Sequence, residues 1–145
     1  MSRFFIVLLT LLAIASARAE SDHTVAARSA AFEVAGAFSA NDGYKLRDGY
    51  FTTTLKKRES KIFTVNLYAG NSYWFCAATV PAVTKLDVTL YDEAGKPIPM
   101  QPYVDGARAA AGITAAYSGT HFVKLTVADG PDAQLSTVCL LYAYK

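Results

Sequence analysis

The residues of this chain whose types admit chemistry are few: two cysteines, Cys76 and Cys139, two histidines, His23 and His121, and scattered carboxylates and hydroxyls. The cysteine spacing matches no metal signature, because a zinc site needs further Cys or His close by. In an oxidising compartment the even count favours a Cys76–Cys139 disulfide, which in the chain-entropy picture would add on the order of 4 kcal/mol. The other reading is two free buried thiols that behave as small apolar residues. Neither histidine has the i, i+4 partner or the set of carboxylate neighbours that a metal site needs. Ser118 and His121 lie close in sequence, but no Gly-x-Ser-x-Gly elbow surrounds the serine and the pair straddles a turn into a strand, so hydrolase chemistry is not expected. Calcium takes about six to eight oxygen ligands, and Asp87, Asp92, Glu93 and Asp105 would supply some of them only if two loops met. The plainer reading places Asp87 on the wet face of a strand and Asp92-Glu93 in a turn. No catalytic residue, metal or cofactor is expected.

Two surface features admit binding instead. Lys56-Lys57-Arg58 is a basic patch that could meet anionic lipid or polysaccharide, or simply a solvated turn in which Glu59 offsets one charge. Tyr50, Tyr68, Trp74, Tyr91, Tyr103 and Tyr117 could include a flat stacking platform for sugar rings, although rings of this size are more often core or rim.

The elements that must position these residues fall into two textures. Thr24 to about Ala40 is rich in Ala, with Val25, Ala26, Ala30, Phe32, Val34, Ala37 and Phe38 forming an apolar stripe, which predicts a helix. Ser21 to Thr24 offers caps before it and Asn41-Asp42-Gly43 a turn after it. After Gly43 come short segments rich in Tyr, Phe, Val and Thr, separated by Gly, Asp, Asn and Pro, which is strand texture. Strands are expected over 50–55, 61–68, 73–78, 85–91, 121–127 and 135–144. The run 73–78 is apolar on both faces, as in a central strand or one covered by the helix. Pro97, Pro99 and Pro102 confine 96–106 to an edge strand or an irregular crossing, and 107–116 tips weakly to strand.

The first residues supply an address. Arg3 is a positive n-region, 4–15 an apolar h-region, and Ala17-Arg18-Ala19 carries small residues at −3 and −1, so a secretory signal peptide over 1–19 is expected, with cleavage between Ala19 and Glu20. The apolar run is shorter than the roughly 20 residues that span a bilayer, so no membrane span is expected after cleavage. The chain has 14 basic and 12 acidic residues; with Arg3 and Arg18 removed the two balance. A neutral mature chain argues against a nucleic-acid partner. The expected organisation is a leader over 1–19, a helical segment over 20–43 and a β-sandwich over 44–145, secreted or periplasmic.

The string Phe63-Thr64-Val65-Asn66-Leu67-Tyr68-Ala69-Gly70-Asn71-Ser72-Tyr73-Trp74-Phe75 resembles the F-x-V-x-L-x-A-G-x-x-Y-x-F core of bacterial pre-peptidase C-terminal domains. In the same order, 86–95 is similar to that family's D-L-x-L-Y-D-x-x-G and 118–125 to its x-G-T-Y-x-V-x-V. The resemblance spans about Glu59 to Tyr144 and implies a jelly-roll-like antiparallel β-sandwich, carried in that family as a non-catalytic appendage of secreted enzymes that binds substrate or is removed on maturation. Some relatives bind calcium through acidic residues near the sandwich. With no peptidase ahead of it, the expectation is an autonomous exported module that binds an unknown protein or polysaccharide, the alternative being a small inhibitor or accessory protein of an exported enzyme.

Overall fold

The computed structural model of the chain describes residues 22–145 in full. The expected signal peptide over 1–19 and its expected cleavage between Ala19 and Glu20 lie outside the described residues. Helix α1 (Ser2–Asp42) is followed by β1 (Lys45–Leu46), β2 (Phe51–Leu55), β3 (Ser60–Leu67), β4 (Ser72–Val80), β5 (Lys85–Tyr91), β6 (Gln101–Asp105), β7 (Arg108–Thr114), β8 (Gly119–Asp129) and β9 (Ser136–Tyr144). One antiparallel sheet has the order β1-β9-β4-β7-β6, with β2 also on β9, and the other has β3-β8-β5. From β2 to β5 and again from β7 to β9 the chain crosses to the opposite sheet at every step, so sequence neighbours face each other across the core. This is the expected jelly-roll-like sandwich preceded by one helix.

Alternation decides which residues enter the core. Phe63, Val65 and Leu67 of β3, Leu86, Val88 and Leu90 of β5, and Val123, Leu125 and Val127 of β8 are buried, and they meet Tyr73, Phe75, Ala77, Val138, Leu140 and Tyr142 of the larger sheet. The strands β4 and β9 are apolar on both faces because α1 covers the outer one. There Trp74, Cys76, Ala78, Ala110, Cys139 and Leu141 pack against Ala27, Ala31, Val34 and Ala35 of the helix. The helix face is narrower than the expected stripe. Val25 and Phe32 point to solvent, and alanines at four-residue spacing let the helix lie close to the sheet. Asp22, His23 and Thr24 are helical rather than capping, and the helix ends at Asp42, before Gly43 at φ 74°. An ion pair from Arg108 to Glu33 at 2.7 Å and a hydrogen bond from the Arg28 guanidinium to the Tyr50 hydroxyl at 3.1 Å fasten the rim of this layer.

The prolines act as expected. Residues of β6 are all exposed, the strand pairs only with β7, and Pro102 sits on this free edge, where a missing N–H blunts pairing with another chain.

The expected disulfide is not what the structure holds. Cys76 and Cys139 are both free and buried beneath α1. They lie on neighbouring strands and on the same face, but the register sets Cys76 opposite Leu141 and Cys139 opposite Ala78. The thiols are therefore diagonal neighbours, with Cα atoms about 7–8 Å apart by sheet geometry, beyond the usual span of a bridge. Burial pushes the Cys76 thiol up to about 12; it pushes Cys139 up to about 11, with the Arg28 charge pulling the other way. A thiol whose folded pKa lies above its ordinary value near 9 favours folding below that value, and this contribution is lost as pH rises toward the folded pKa. Stability is therefore expected to fall between about pH 9 and 12, and the double variant Cys76→Ala, Cys139→Ala should lose less across that window in paired denaturation curves. Equal losses in both proteins would assign the pH dependence to other groups.

Candidate functional site

The turn from β3 to β4, which carries the chain from one sheet to the other, builds one lip of a cleft at the open end of the sandwich. Gly70 adopts φ 85°, and its N–H donates to the Ala115 carbonyl at 2.9 Å. The N–H of Ala69 donates to the Ser118 hydroxyl at 2.9 Å, and that of Tyr68 to the Tyr73 hydroxyl at 2.9 Å. A turn held at successive positions fixes its side chains before any ligand arrives, which lowers the ordering cost of binding. Tyr68, 68% exposed, is thereby presented to solvent on a rigid mount.

The floor comes from the inner face of the larger sheet, where the aliphatic core gives way to aromatic rings. Tyr142 packs 5.0 Å from Phe75 and 6.1 Å edge-on from Tyr73. Two residues along β9, Tyr144 stands at the mouth, on the same side because strand side chains repeat every second residue.

The third wall is a bulge. Both β1 and β2 pair with β9, with Leu46 opposite Ala143 and Phe51 opposite Leu140. Arg47, Asp48, Gly49 and Tyr50 therefore face only Leu141 and Tyr142, and the surplus loops outward with Gly49 at φ 94°. Such bulges re-aim side chains. Here the backbone N–H of Arg47 donates to the Tyr142 carbonyl at 3.0 Å, and its guanidinium lies 5.0 Å over the Tyr142 ring. Burial raises the Tyr142 hydroxyl above its ordinary pKa, and the Arg47 charge opposes that rise.

The resulting cleft has a volume of about 500 Å³ and is lined by Arg47, Asn66, Tyr68, Asn71, Tyr73, Tyr142 and Tyr144. Among these residues there is no carboxylate, histidine, serine or cysteine. The chemistry on offer is holding: ring faces for stacking, amides for hydrogen bonds and one planar cation.

The residues singled out from sequence are placed elsewhere, apart from Tyr68. Ser118 accepts from the β3–β4 turn, and His121 is buried with its ring 4.3 Å from Tyr117 and its Nδ1 2.9 Å from the Gly119 carbonyl oxygen. His23 lies on α1. Asp87 faces outward on β5 beside Lys85, the Asp92 carboxylate accepts from the Lys96 N–H within a turn, the Glu93 N–H donates to the Tyr117 hydroxyl, and Asp105 ends β6. Among the described residues, no three His, Cys, Asp or Glu side chains gather as a metal site would require. Lys57 reaches Asp129 at 3.3 Å and Asp132 at 3.4 Å, so the basic patch is a partly neutralised turn between the two sheets. Trp74 is buried, Tyr50 holds Arg28, Tyr117 stacks on His121, and Tyr91 and Tyr103 lie on other faces. Arg47, Asn66, Asn71, Tyr73, Tyr142 and Tyr144 were not singled out; the period-two spacing of Tyr142 and Tyr144 is the signal that could have found part of the site.

No family model and no curated protein matches the chain. Among solved structures, the crystal structure of Aeromonas hydrophila PliG, a periplasmic lysozyme inhibitor of g-type lysozyme, is similar at 7% sequence identity with a TM-score of 0.45, over 67% of this chain and 85% of that one. Among the described residues, no helix is long and apolar enough to cross a membrane.

Proposed function

We propose that this protein is an exported, non-catalytic β-sandwich module that binds a polymer in the cell envelope or outside the cell, with the tyrosine-lined cleft as its binding site. The observation that carries this reading is the lining of the cleft: exposed rings at Tyr68 and Tyr144 beside the amides of Asn66 and Asn71, on a rigid turn. Ring faces beside amides suit a chain of sugar rings, whose apolar faces stack while hydroxyls exchange hydrogen bonds. The resemblance to pre-peptidase C-terminal domains supports the same reading, because its A-G turn is the lip that carries Tyr68.

The test is retention of the mature protein on cell-wall and extracellular polysaccharide matrices. Tyr68→Ala should reduce retention about tenfold, roughly the effect of losing one stacking ring, with little change in melting temperature because the side chain is mostly exposed. Retention that survives Tyr68→Ala would remove the cleft from the binding site.

The second reading is an inhibitor or accessory protein of an exported enzyme, and one observation favours it. The β6–β7 hairpin offers an ordered, exposed edge with Tyr103 and Val104 outermost, a surface on which a protein partner could settle. A single exported enzyme that co-purifies in equal amount, and is lost with Tyr103→Ala but not with Tyr68→Ala, would establish this reading in place of the first.

A further inference from the structure

We propose that the cleft selects a polymer bearing carboxylates, an acidic glycan, and that Arg47 is the residue that reads the charge; the inference rests on the polymer-binding reading above. Lys57 is engaged with Asp129 and Asp132, Lys85 with Asp87, and Arg108 with Glu33, whereas Arg47, like Lys45, Arg58 and Lys61, makes no ion pair among the described residues and differs from those in lining the tyrosine cleft. Among the described residues, no carboxylate stands within ion-pair distance of Arg47, and none lines the cleft into which its guanidinium opens.

The position of that guanidinium is built. The bulge between β1 and β2 spends two extra residues at this point, the Arg47 N–H is tied to β9, and the cation rests over the Tyr142 ring. A planar guanidinium stacked on a ring keeps its outward edge free, and that edge matches a carboxylate with two parallel hydrogen bonds. Stacking also lowers the entropy lost when the fork engages a ligand, a cost that a free surface lysine or arginine bears in full. Tyr68, Tyr144 and Arg47 line the same cleft, so a sugar ring on a tyrosine and its carboxylate on Arg47 are contacts that one acidic chain can make together. A neutral hexose chain makes the first contact and forgoes the second.

The experiment compares binding of a hexuronate oligomer, the corresponding neutral hexose oligomer and an oligoglutamate peptide to the mature protein, by calorimetry at low and moderate salt. The hexuronate oligomer is expected to bind at least tenfold tighter than the neutral one. Arg47→Gln should abolish that difference and flatten the salt dependence, while Arg47→Lys should restore part of it. Because Arg47 is exposed, neither variant should alter the melting temperature. Neutral and acidic oligomers bound equally well, and both weakened by Tyr68→Ala, would overturn the charge assignment and leave the polymer site standing. Oligoglutamate bound more tightly than the hexuronate oligomer would overturn the glycan assignment in favour of an acidic peptide. Absence of binding to either oligomer would overturn this inference together with the reading it rests on.

Discussion

Trp74→Ala is expected to lower the free energy of unfolding by about 3–5 kcal/mol, the range for removal of a buried tryptophan. Trp74 is only 8% exposed, and both faces of its indole are occupied. Phe38 of α1 stacks on one face with centroids 4.1 Å apart and planes 11° from parallel. The other face lies over Gly112, where an added Cβ would fall 2.8 Å from two indole carbons. The glycine is therefore demanded by the ring rather than by its own backbone, and Gly112→Ala should cost about 1–3 kcal/mol by overpacking. In a Trp74→Ala background the same glycine change should become neutral or favourable, because the clash is gone and alanine orders more readily than glycine in a strand. Denaturant unfolding of the two single variants and the double variant measures this coupling. Additive losses would mean that the indole does not cover Gly112.

Ala31→Glu should be the next most damaging change, at about 3–5 kcal/mol for a charge left buried without a partner. Ala31 is fully buried in the layer between α1 and the larger sheet among apolar side chains, and Arg28, the cation one turn away, is tied to the Tyr50 hydroxyl at the rim. The least costly response is for the helix to lift and return the carboxylate to water. That motion would uncover Cys76 and Cys139, whose burial beneath α1 keeps them protonated and shielded. Labelling by a thiol reagent at neutral pH should accordingly be slow in the parent protein and faster in Ala31→Glu, in step with the loss of stability. Unchanged labelling and unchanged melting would show that the helix does not cover the sheet. An Ala26→Glu control, on the exposed side of the helix, should leave both quantities where they were.

The strands could be read from the sequence because alternation is a local property. Phe63, Val65 and Leu67, or Val123, Leu125 and Val127, each declare a buried face within a few residues. The double-sided burial of 73–78 was equally legible, and covering by α1 accounts for it. The helix face departs from the expected stripe at Val25 and Phe32, which point outward, while Val34 and Phe38 of that stripe join Ala27, Ala31 and Ala35 in the contact. The cleft was legible only at Tyr68. Arg47 carries no motif, and its place depends on how four residues are accommodated opposite two on a strand nearly a hundred positions later.

Turn chemistry and strand period thus follow from the order of residues alone, since each depends on the conformational preferences of a few neighbours: Gly70 at positive φ, the prolines that hold β6 at an edge, the apolar alternation on both sheets. The free thiols, the bulge under Arg47 and the stack of Phe38, Trp74 and Gly112 depend on register between segments distant in the chain. A shift of two residues in the β4–β9 ladder would bring Cys76 opposite Cys139, and nothing near either cysteine specifies against it. That register is set by the packing of the whole inner face, where Phe75 must lie beside Tyr142 and Ala77 beside Leu140 for the core to close.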